Sequence, residues 1–461
     1  MNTYFSHEAL LADGWARDVL MEVGDDGNFA SVKSGKPQGN AQVLGGPAIP
    51  GMASAHTHAF PRAMAGLAER MGSPEDSFWT WREVMYSFVK RLGPEESLAI
   101  AEQLYVEMLK NGYTAVAEFH YLHHTPDGKP YARRSEMAQA MVRAAQSAGI
   151  AITLLPSLYA YANFGEVPLE AGQKRFASTP DLILAMIREL LAAFPGSPDF
   201  HLGVAPHSMR ATSPAMLRDL IKGLDTMDPT APIHMHVAEQ VKEVNDCLSW
   251  GDQRPVQWLL DNMQVNERWC LVHCTHVSMT EAEHLAHSGA VTGLCPTTEG
   301  NLGDGIFPFL RYREKGGRYA IGTDSNVSRS PVEELRWLEY VQRLSLRRRN
   351  ISATPSHPSV GTNLWCGAAT GGAQALGRRM GAIAKGLRAD LVVLDDNCVD
   401  LADRHAESLM DAFVFNGSTN AVKHVMVGGK WVVRDRRHHN EEAVETRFRQ
   451  VQKQLLAAKP L

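Results

Sequence analysis

Short apolar runs alternate with longer amphipathic stretches through most of this chain. Between about residues 50 and 375 the runs are TAVAEF, AITLLPSL, FHLGVAPH, IHMHVAE, CLVHCTH, AVTGLCP and YAIGTD. Short apolar runs bounded by turn residues are typical of buried parallel strands, and the stretches between them have the period of helices. With the run that leads into His56, the pattern predicts eight βα units. Eight such units close into a (β/α)8 barrel of the TIM type.

Both ends of the chain have a different pattern. The first 45 residues or so read as short strands with turn signals at Asp13-Gly14, Asp25-Asp26-Gly27 and Gly45-Gly46. After about residue 380, ADLVVLD, DAFVFNG and VKHVMVGGKWVVRD again read as strands. We infer that the two ends form one small β-sandwich domain. The predicted organisation is 1–49 and 376–440 for the two parts of this domain, 50–375 for the barrel and 441–461 for a C-terminal helix.

Composition narrows the class of protein. The 461 residues are too many for one compact core, and the formal net charge of -5 gives no reason to expect nucleic acid or an anionic membrane as a partner. The six cysteines form no CxxC pair, and no apolar stretch reaches the ~18 residues of a membrane helix. The first residues lack the pattern of a signal peptide. We therefore expect a soluble, cytoplasmic protein with reduced thiols.

Histidines at predicted strand ends give the first chemical signal. In ASAHTHAF, His56 and His58 lie two positions apart on a strand, so both side chains point to the same face and can bind one metal ion. IHMHVAEQ repeats this spacing at His234 and His236. A pair of packed or solvent-facing histidines would give the same pattern, so neither motif decides the matter alone.

Two further strand ends complete the set. LVHCTH places His273 at the end of an apolar run, and AIGTDSN places Asp324 directly after the last predicted barrel strand. Barrel enzymes build their active sites at the carboxyl ends of the strands. Imidazoles together with a carboxylate are suitable ligands for Zn²⁺. Four such motifs at four strand ends predict a metal centre.

These motifs resemble those of the amidohydrolase superfamily. PGMASAHTHAF, HMHVAEQ, LVHCTH and GTDS occur in the order expected there, and GAIAKGLRADLVVLD resembles the return of that superfamily to its small β domain. The resemblance covers nearly the whole chain and implies four metal ligands: His56, His58, His236 and Asp324. It also implies that Glu239 and His273 handle protons around the reacting carbon.

The number of metal ions follows from a missing residue. Two-metal members of the superfamily carry a bridging carboxylated lysine at the end of the fourth strand, whereas residues 175–221 contain no lysine. The resemblance therefore implies one Zn²⁺ per subunit, as in the branch that releases ammonia from C=N groups. Zinc lowers the pKa of a bound water towards ~7.

The proton-handling residues have separate expected roles. Asp324 can take the proton of the attacking water, His273 can stabilise charge on the attacked group, and Glu239 can pass a proton to the departing nitrogen. A plainer interpretation stays open for two of them. Glu239 could cap a helix, and His273 could lie outside the immediate surroundings of the reaction.

Within the deaminase branch, the chain resembles the N-formimino-L-glutamate deiminases of histidine degradation. FWTWREVM places Arg82 in the loop after the first strand, AEFHYLHH places Tyr121 after the second, and APHSMR places His207 and Arg210 at the end of the fourth. AGQKRF is similar as well. Arginine binds carboxylates through two parallel hydrogen bonds, which suits an acidic amino-acid derivative as substrate. The resemblance also implies a homodimer and hydrolysis to N-formyl-L-glutamate and ammonia.

One position departs from this pattern, and other interpretations stay open. Pro61 in HAFPRAM stands where the resemblance leads us to expect glutamine, so the substrate is a close analogue or Arg62 and nearby loops replace that contact. The two arginines could be surface ion-pair residues, and Tyr121 could belong to the core. The rival functions are a deaminase of guanine, cytosine or an adenosine-like nucleoside, and an inactive barrel that serves as a binding protein.

Overall fold

The computed structural model describes residues 1–70, 77–417 and 420–457. The strands in these ranges are β1 (Asn2–Leu11), β2 (Gly14–Val23), β3 (Phe29–Lys33), β4 (Gln42–Val43), β5 (Ala48–Pro50), β6 (Met52–Thr57), β7 (Tyr113–His120), β8 (Ala151–Leu158), β9 (Phe200–Leu202), β10 (Ala205–Pro206), β11 (Ile233–Val237), β12 (Trp269–His273), β13 (Val291–Leu294), β14 (Arg318–Ile321), β15 (Leu391–Leu394), β16 (Val422–Val427), β17 (Lys430–Arg434) and β18 (Arg437–His438).

The α-helices of the same ranges are α1 (Phe78–Val89), α2 (Pro94–Lys110), α3 (Glu136–Ala148), α4 (Pro180–Ala193), α5 (Pro214–Asp225), α6 (Val241–Gly251), α7 (Pro255–Asn262), α8 (Met279–Ser288), α9 (Pro296–Leu302), α10 (Phe309–Glu314), α11 (Pro331–Leu346), α12 (Val360–Ala375), α13 (Ala406–Phe415) and α14 (Glu441–Ala457). Short 3-10 helices cover Phe60–Met64, Ala171–Phe176 and Val399–Leu401.

Eight parallel strands form the predicted (β/α)8 barrel, with β9 and β10 together as the fourth strand. β6 to β10 pair in one group and β11 to β14 in another. The bridges Val204–Ile233 and Thr57–Asp324 join the two groups and close the ring. Every residue of β7, β8, β11 and β12 is buried. Burial on both faces explains why these strands are apolar runs without alternation, and the barrel prediction is confirmed.

The small β domain is a nine-stranded sheet that takes strands from both ends of the chain. Its order is β18-β17-β16-β15-β5-β1-β2-β3, and β4 pairs with β1. β5 is the junction, because Ala48 pairs with Ala9 of β1 and with Val393 of β15. Buried residues from both ends, Phe29 and Met426 among them, share one hydrophobic core. The residue limits of the domains stay a prediction.

One predicted strand of this region is wrong. DAFVFNG lies mostly in helix α13 (Ala406–Phe415), where Leu409, Met410 and Phe413 are buried. The Phe413 ring lies 5.5 Å from that of Trp365 in α12. The aromatic and β-branched residues of this run favour a strand, and the run is too short to show a helical period. Packing against α12 stabilises the helix instead.

All six cysteines are free. Across the described ranges, no helix combines the length and the apolar character needed to cross a bilayer. The predicted C-terminal helix is α14 (Glu441–Ala457), and residues 458–461 of that prediction lie outside the described residues.

Candidate active site

Four buried side chains converge at the carboxyl ends of β6, β11 and β14. Nε2 of His56 lies 3.0 Å from Nε2 of His236 and 3.3 Å from Oδ1 of Asp324. Nε2 of His58 lies 3.5 Å from the same Asp324 oxygen. When two nitrogens bind the same zinc ion at ~2.1 Å and the N–Zn–N angle is near or below the tetrahedral value, the nitrogens are ~3.0–3.4 Å apart. The ligand atoms of His56, His58 and Asp324 lie within 4.8 Å of one another, and so do those of His56, His236 and His273. His56 belongs to both groups, which places a candidate metal ion beside its Nε2.

The imidazoles are neutral and turn the correct nitrogen to the centre. Nδ1 of His58 donates to the Phe119 carbonyl at 2.8 Å, and Nδ1 of His236 donates to the His207 carbonyl at 3.1 Å. These bonds leave the Nε2 lone pairs free to bind a metal ion. Burial lowers the pKa of His58 and His236, and it lowers the pKa of His56 to about 3. Neutral imidazole is the form that binds metals, so the donor set fits Zn²⁺.

Asp324 closes the barrel at the same point. Its N–H donates to the His56 carbonyl at 3.0 Å, and its carbonyl accepts the His58 N–H at 3.1 Å. Its φ of +42° is in the left-handed region, a backbone conformation that is unfavourable for residues other than glycine. Burial alone would raise the pKa of Asp324, but the hydrogen bond to His56 and the charge of His273 hold it well below the usual range. The structure thus keeps Asp324 ionised beside the imidazoles.

Glu239 and His273 lie next to this cluster. Nε2 of His273 is 3.8 Å from Oε1 of Glu239 and 3.8 Å from Oδ2 of Asp324. Burial alone would lower the pKa of His273, but the charge of Glu239, a hydrogen bond to Glu299 and the charge of Asp324 raise it to about 10. Burial raises the pKa of Glu239. The pair can therefore offer a positive charge and a proton carrier to the same reacting group.

Two guanidinium groups, those of the half-buried Arg82 and the buried Arg210, form the other end of the cavity. Arg82 and Arg210 lie 4.7 Å and 6.0 Å from the centre of the Trp79 ring. Nε of each arginine is buried without a hydrogen-bond partner among the described residues. Glu243 offsets the charge of Arg210 at 3.7 Å, which is beyond hydrogen-bond distance. Both arginines thus keep hydrogen-bonding capacity for an anionic ligand.

Tyr121 and His207 connect the two ends of the cavity. The Tyr121 ring lies 4.8 Å from that of His58 and 5.8 Å from that of His207. Both residues line the same cavity as Arg82, Arg210 and three of the metal-ligand candidates, His58, His236 and Asp324. Burial, with the charge of Arg210, holds the pKa of His207 well below its ordinary value. A neutral imidazole and a phenol therefore border the space between the cations and the histidine cluster.

Comparison with known proteins agrees with this geometry. The profile described as "Amidohydrolase family" matches residues 48–432. The chain belongs to the amidohydrolase family. A second profile, described as the N-terminal domain of the formimidoylglutamate deiminase HutF, matches residues 1–42.

Several relatives of this amidohydrolase are known. A formimidoylglutamate deiminase of Pseudomonas aeruginosa is 49% identical over 457 residues, which are 99% of this chain and 100% of the relative. A 5-methylthioadenosine/S-adenosylhomocysteine deaminase of Natronomonas pharaonis is 28% identical over 84% of this chain and 81% of its own length.

Solved structures share the architecture. The crystal structure of an amidohydrolase from Brucella melitensis has a TM-score of 0.93 and 44% identity, covering 99% of this chain and 100% of that one. An adenosine deaminase from Xanthomonas campestris with bound zinc has a TM-score of 0.82 and 21% identity, covering 99% and 98%. The second likeness concerns the fold alone. Together with the barrel described above, these structures confirm the predicted fold class.

Sequence reasoning missed several residues of the site. Tyr86 and Tyr159 line the cavity, and the fully buried Gln173 donates to their hydroxyl groups at 3.2 Å and 3.0 Å. Glu299 hydrogen-bonds to His273. Gln173 lies within AGQKRF, which the resemblance had marked as similar, but no periodic pattern distinguishes the other three. They come from helices and loops around the barrel, where only the folded chain shows what a side chain contacts.

Two histidines of the sequence motifs stay outside the cluster. His234 repeats the spacing of His56 and His58, but its Nε2 donates to the Ala375 carbonyl at 2.7 Å. His276 of LVHCTH does not line the cavity either. A predicted location also needs correction: Arg82 lies in helix α1 (Phe78–Val89), between the first barrel strand and α2, and not in a loop.

A buried carboxyl beneath the site predicts a pH dependence of stability. Oε1 of Glu118 accepts the Ala59 N–H at 2.9 Å, and the Tyr105 hydroxyl donates to Oε2 at 3.0 Å. Burial nevertheless raises the pKa of Glu118 from 4.5 to about 8. Between these two pH values the folded protein holds a proton that the unfolded chain has lost. The contribution of Glu118 to stability is therefore complete below about pH 4.5 and declines until about pH 8.

Glu118→Gln removes this titration while keeping an acceptor for Ala59. We expect the free energy of unfolding of the variant, relative to the unchanged protein, to rise with pH by up to ~1.4 kcal/mol per unit across that window. Urea unfolding of both proteins at several values between about pH 5 and pH 8 measures this difference. Curves that stay parallel would show that Glu118 does not titrate there.

Proposed function

We propose that this amidohydrolase hydrolyses N-formimino-L-glutamate to N-formyl-L-glutamate and ammonia. The observation that carries the proposal is the combination in one cavity of a His/Asp cluster and two guanidinium groups, each with a buried Nε atom that has no hydrogen-bond partner among the described residues. The cluster suits attack on a C=N carbon, and the guanidinium groups suit two carboxylates. The identity of 49% over nearly the full length with a formimidoylglutamate deiminase supports the same reaction.

One zinc ion would be held by His56, His58, His236 and Asp324. The ion, when bound, supplies a water of lowered pKa. The cavity lining includes no lysine among the described residues, which supports one ion and not two. Zinc analysis of the purified protein tests this part of the proposal, with one equivalent per chain as the expected result.

The remaining chemistry belongs to the residues of the chain. Asp324 Oδ2, which faces the reacting centre, accepts the proton of the attacking water. The protonated ring of His273 stabilises negative charge as the formimino carbon becomes tetrahedral. Glu239, whose pKa burial raises to about 7, gives a proton to the imino nitrogen and takes one back from the new hydroxyl group. With the proton that Asp324 passes on, the nitrogen has gained two protons and leaves as ammonia. The C–N bond to the imino nitrogen breaks, and the oxygen of water remains as the formyl oxygen.

The substrate carboxylates would bind at the opposite end of the cavity. We assign them to Arg82 and Arg210, with Tyr121 and His207 beside the chain of the substrate. Arg62 does not replace the glutamine missing at Pro61, because its guanidinium binds Glu107 at 2.7 Å and 2.8 Å. Any compensation for Pro61 therefore comes from other groups of the cavity.

A panel of substrates tests the proposal directly. Ammonia release is compared for formimino-glutamate, formimino-aspartate, guanine, cytosine and adenosine. We expect formimino-glutamate to be turned over at least about 100-fold more efficiently than the bases, because only an acidic substrate satisfies the two guanidinium groups. Release from a base alone would replace the proposal with a nucleobase deaminase. No release from any of the five, with no bound metal, would favour an inactive barrel.

We also propose a place and an assembly for the enzyme. The reaction would belong to histidine degradation in the cytoplasm, carried out by a homodimer. Support for these points comes from the resemblance to the deiminases. Size-exclusion chromatography with light scattering tests the dimer, and a mass near that of one chain would contradict it.

A further inference from the structure

Glu299 binds the side of the His273 ring that faces away from the metal-ligand cluster. Its Oε1 lies 3.2 Å from Nδ1 of His273, and the side chains are 8% and 1% exposed. A carboxylate oxygen at this distance is the acceptor, so Nδ1 carries the hydrogen. The other ring nitrogen, Nε2, then faces Glu239 and Asp324, at 3.8 Å from an oxygen of each.

The backbone holds Glu299 in this place from two directions. Its Oε1 also accepts the N–H of Cys295 at 2.9 Å. In return, the N–H of Glu299 donates to the carbonyl of Cys295 at 2.9 Å. Cys295 directly follows β13 (Val291–Leu294), so the carboxylate is fixed relative to the barrel and not to a free loop.

His273 needs a partner of this kind because its backbone is unfavourable. Its φ is +68°, and that of Cys274 is +53°. Left-handed conformations of residues other than glycine are unfavourable and persist only where surrounding contacts enforce them. The hydrogen bond to Glu299 is made by the His273 side chain. It fixes the rotation of the imidazole ring and places the hydrogen on Nδ1.

We propose that Glu299 is a positioning residue for the hydrolysis, which keeps Nδ1 of His273 protonated and directs Nε2 to the reacting carbon. The inference rests on the role of His273 in the proposed function. It also gives the seventh barrel strand a part in the chemistry, although none of the four ligand candidates comes from that strand.

Glu299→Gln tests this proposal with little change of shape. The amide oxygen can still accept the Cys295 N–H, but the negative charge that holds the His273 N–H is lost. We expect kcat to fall about 10- to 100-fold, as for other groups that orient catalytic imidazoles. We expect KM to stay within about twofold and the metal content to stay unchanged, because Glu299 contacts neither the arginines nor the metal ligands.

Glu334→Gln is the matched control. Glu334 of α11 is fully buried and accepts the N–H of Thr297 at 3.0 Å. Thr297 lies in α9, the helix that also contains Glu299, but Glu334 itself has no contact with His273. The control is expected to keep kcat within about twofold. Equal losses of kcat in both variants would mean that Glu299 only stabilises α9, and would overturn the proposal.

Proton NMR of the purified protein gives a reading that does not depend on turnover. A strongly downfield imidazole N–H resonance, assigned through its loss in His273→Gln, is expected in the unchanged protein and in Glu334→Gln but not in Glu299→Gln. An unchanged resonance in Glu299→Gln would overturn the proposal. If formimino-glutamate is not a substrate, the proposed function fails on the panel, and this resonance still decides the role of Glu299.

Discussion

Asp324→Asn is expected to lower kcat for ammonia release by about 10³-fold or more, the largest effect of any single change proposed for this enzyme. One carboxylate oxygen lies 3.3 Å and 3.5 Å from the Nε2 atoms of His56 and His58, and the other lies 3.8 Å from Nε2 of His273. Asparagine keeps the shape but replaces one oxygen with an amide group, which can neither take a proton nor bind a metal ion. Steady-state kinetics with zinc analysis of the same sample measure the loss.

Asp304→Asn is the matched control for this change. Asp304 is a buried carboxyl near the same site, bonded to the Gln240 amide, and burial raises its pKa to about 9. Asp304 does not line the cavity, and asparagine keeps an acceptor for the Gln240 amide. We expect the control to keep kcat within a few-fold. An Asp324→Asn enzyme within tenfold of the unchanged protein would contradict the proton-accepting role of Asp324.

Arg210→Met is expected to lower kcat/KM for formimino-glutamate by at least about 30-fold, mainly through KM. Loss of a buried, charge-assisted contact costs about 2–5 kcal/mol, and about 1.4 kcal/mol corresponds to a factor of ten. The single variant also leaves Glu243, which is fully buried, without its cation. The double variant Arg210→Met/Glu243→Gln removes the pair together and separates weaker substrate binding from lower stability.

Two comparisons make the result specific. Arg268→Met removes a guanidinium that binds Asp225 at 2.8 Å and does not line the cavity, so KM should not change. Formamidine, which carries the C=N group but no carboxylate, should be turned over equally by the double variant and the unchanged protein. A KM for formimino-glutamate within about threefold in the double variant would show that Arg210 does not bind the carboxylates.

The barrel could be predicted from the sequence because its strands are buried on both faces. Each strand can therefore be recognised in the sequence as an apolar run. Active sites of barrels lie at the carboxyl ends of the strands, so the polar residues that follow these runs are the candidate site residues. His56, His236 and Asp324 lie at three such ends, and the structure places Nε2 of His56 3.0 Å from Nε2 of His236 and 3.3 Å from Oδ1 of Asp324. Their roles stay predictions, but their proximity follows from strand geometry alone.

The same reasoning could not find residues that reach the site from outside the strands. Gln173 lies in a 3-10 helix after β8, and Glu299 lies one helical turn beyond β13. Neither position belongs to a repeating pattern. Each residue contributes to the site through a hydrogen bond to a residue far away in sequence, Gln173 to Tyr86 and Glu299 to His273. The wrong strand at α13 has a related cause, since packing against α12 outweighed local composition.

The junction strand β5 has a consequence for biosynthesis. Ala48 and Ile49 pair with Val393 and Val392 of β15, which the ribosome adds about 340 residues later. At ~5–20 residues per second, this delay is roughly 20–70 s. During that time β1, β2 and β3 can form a hairpin ribbon, but β5 has an open edge that can pair with other nascent chains. The pairing of β15 with β5 therefore removes a site of aggregation.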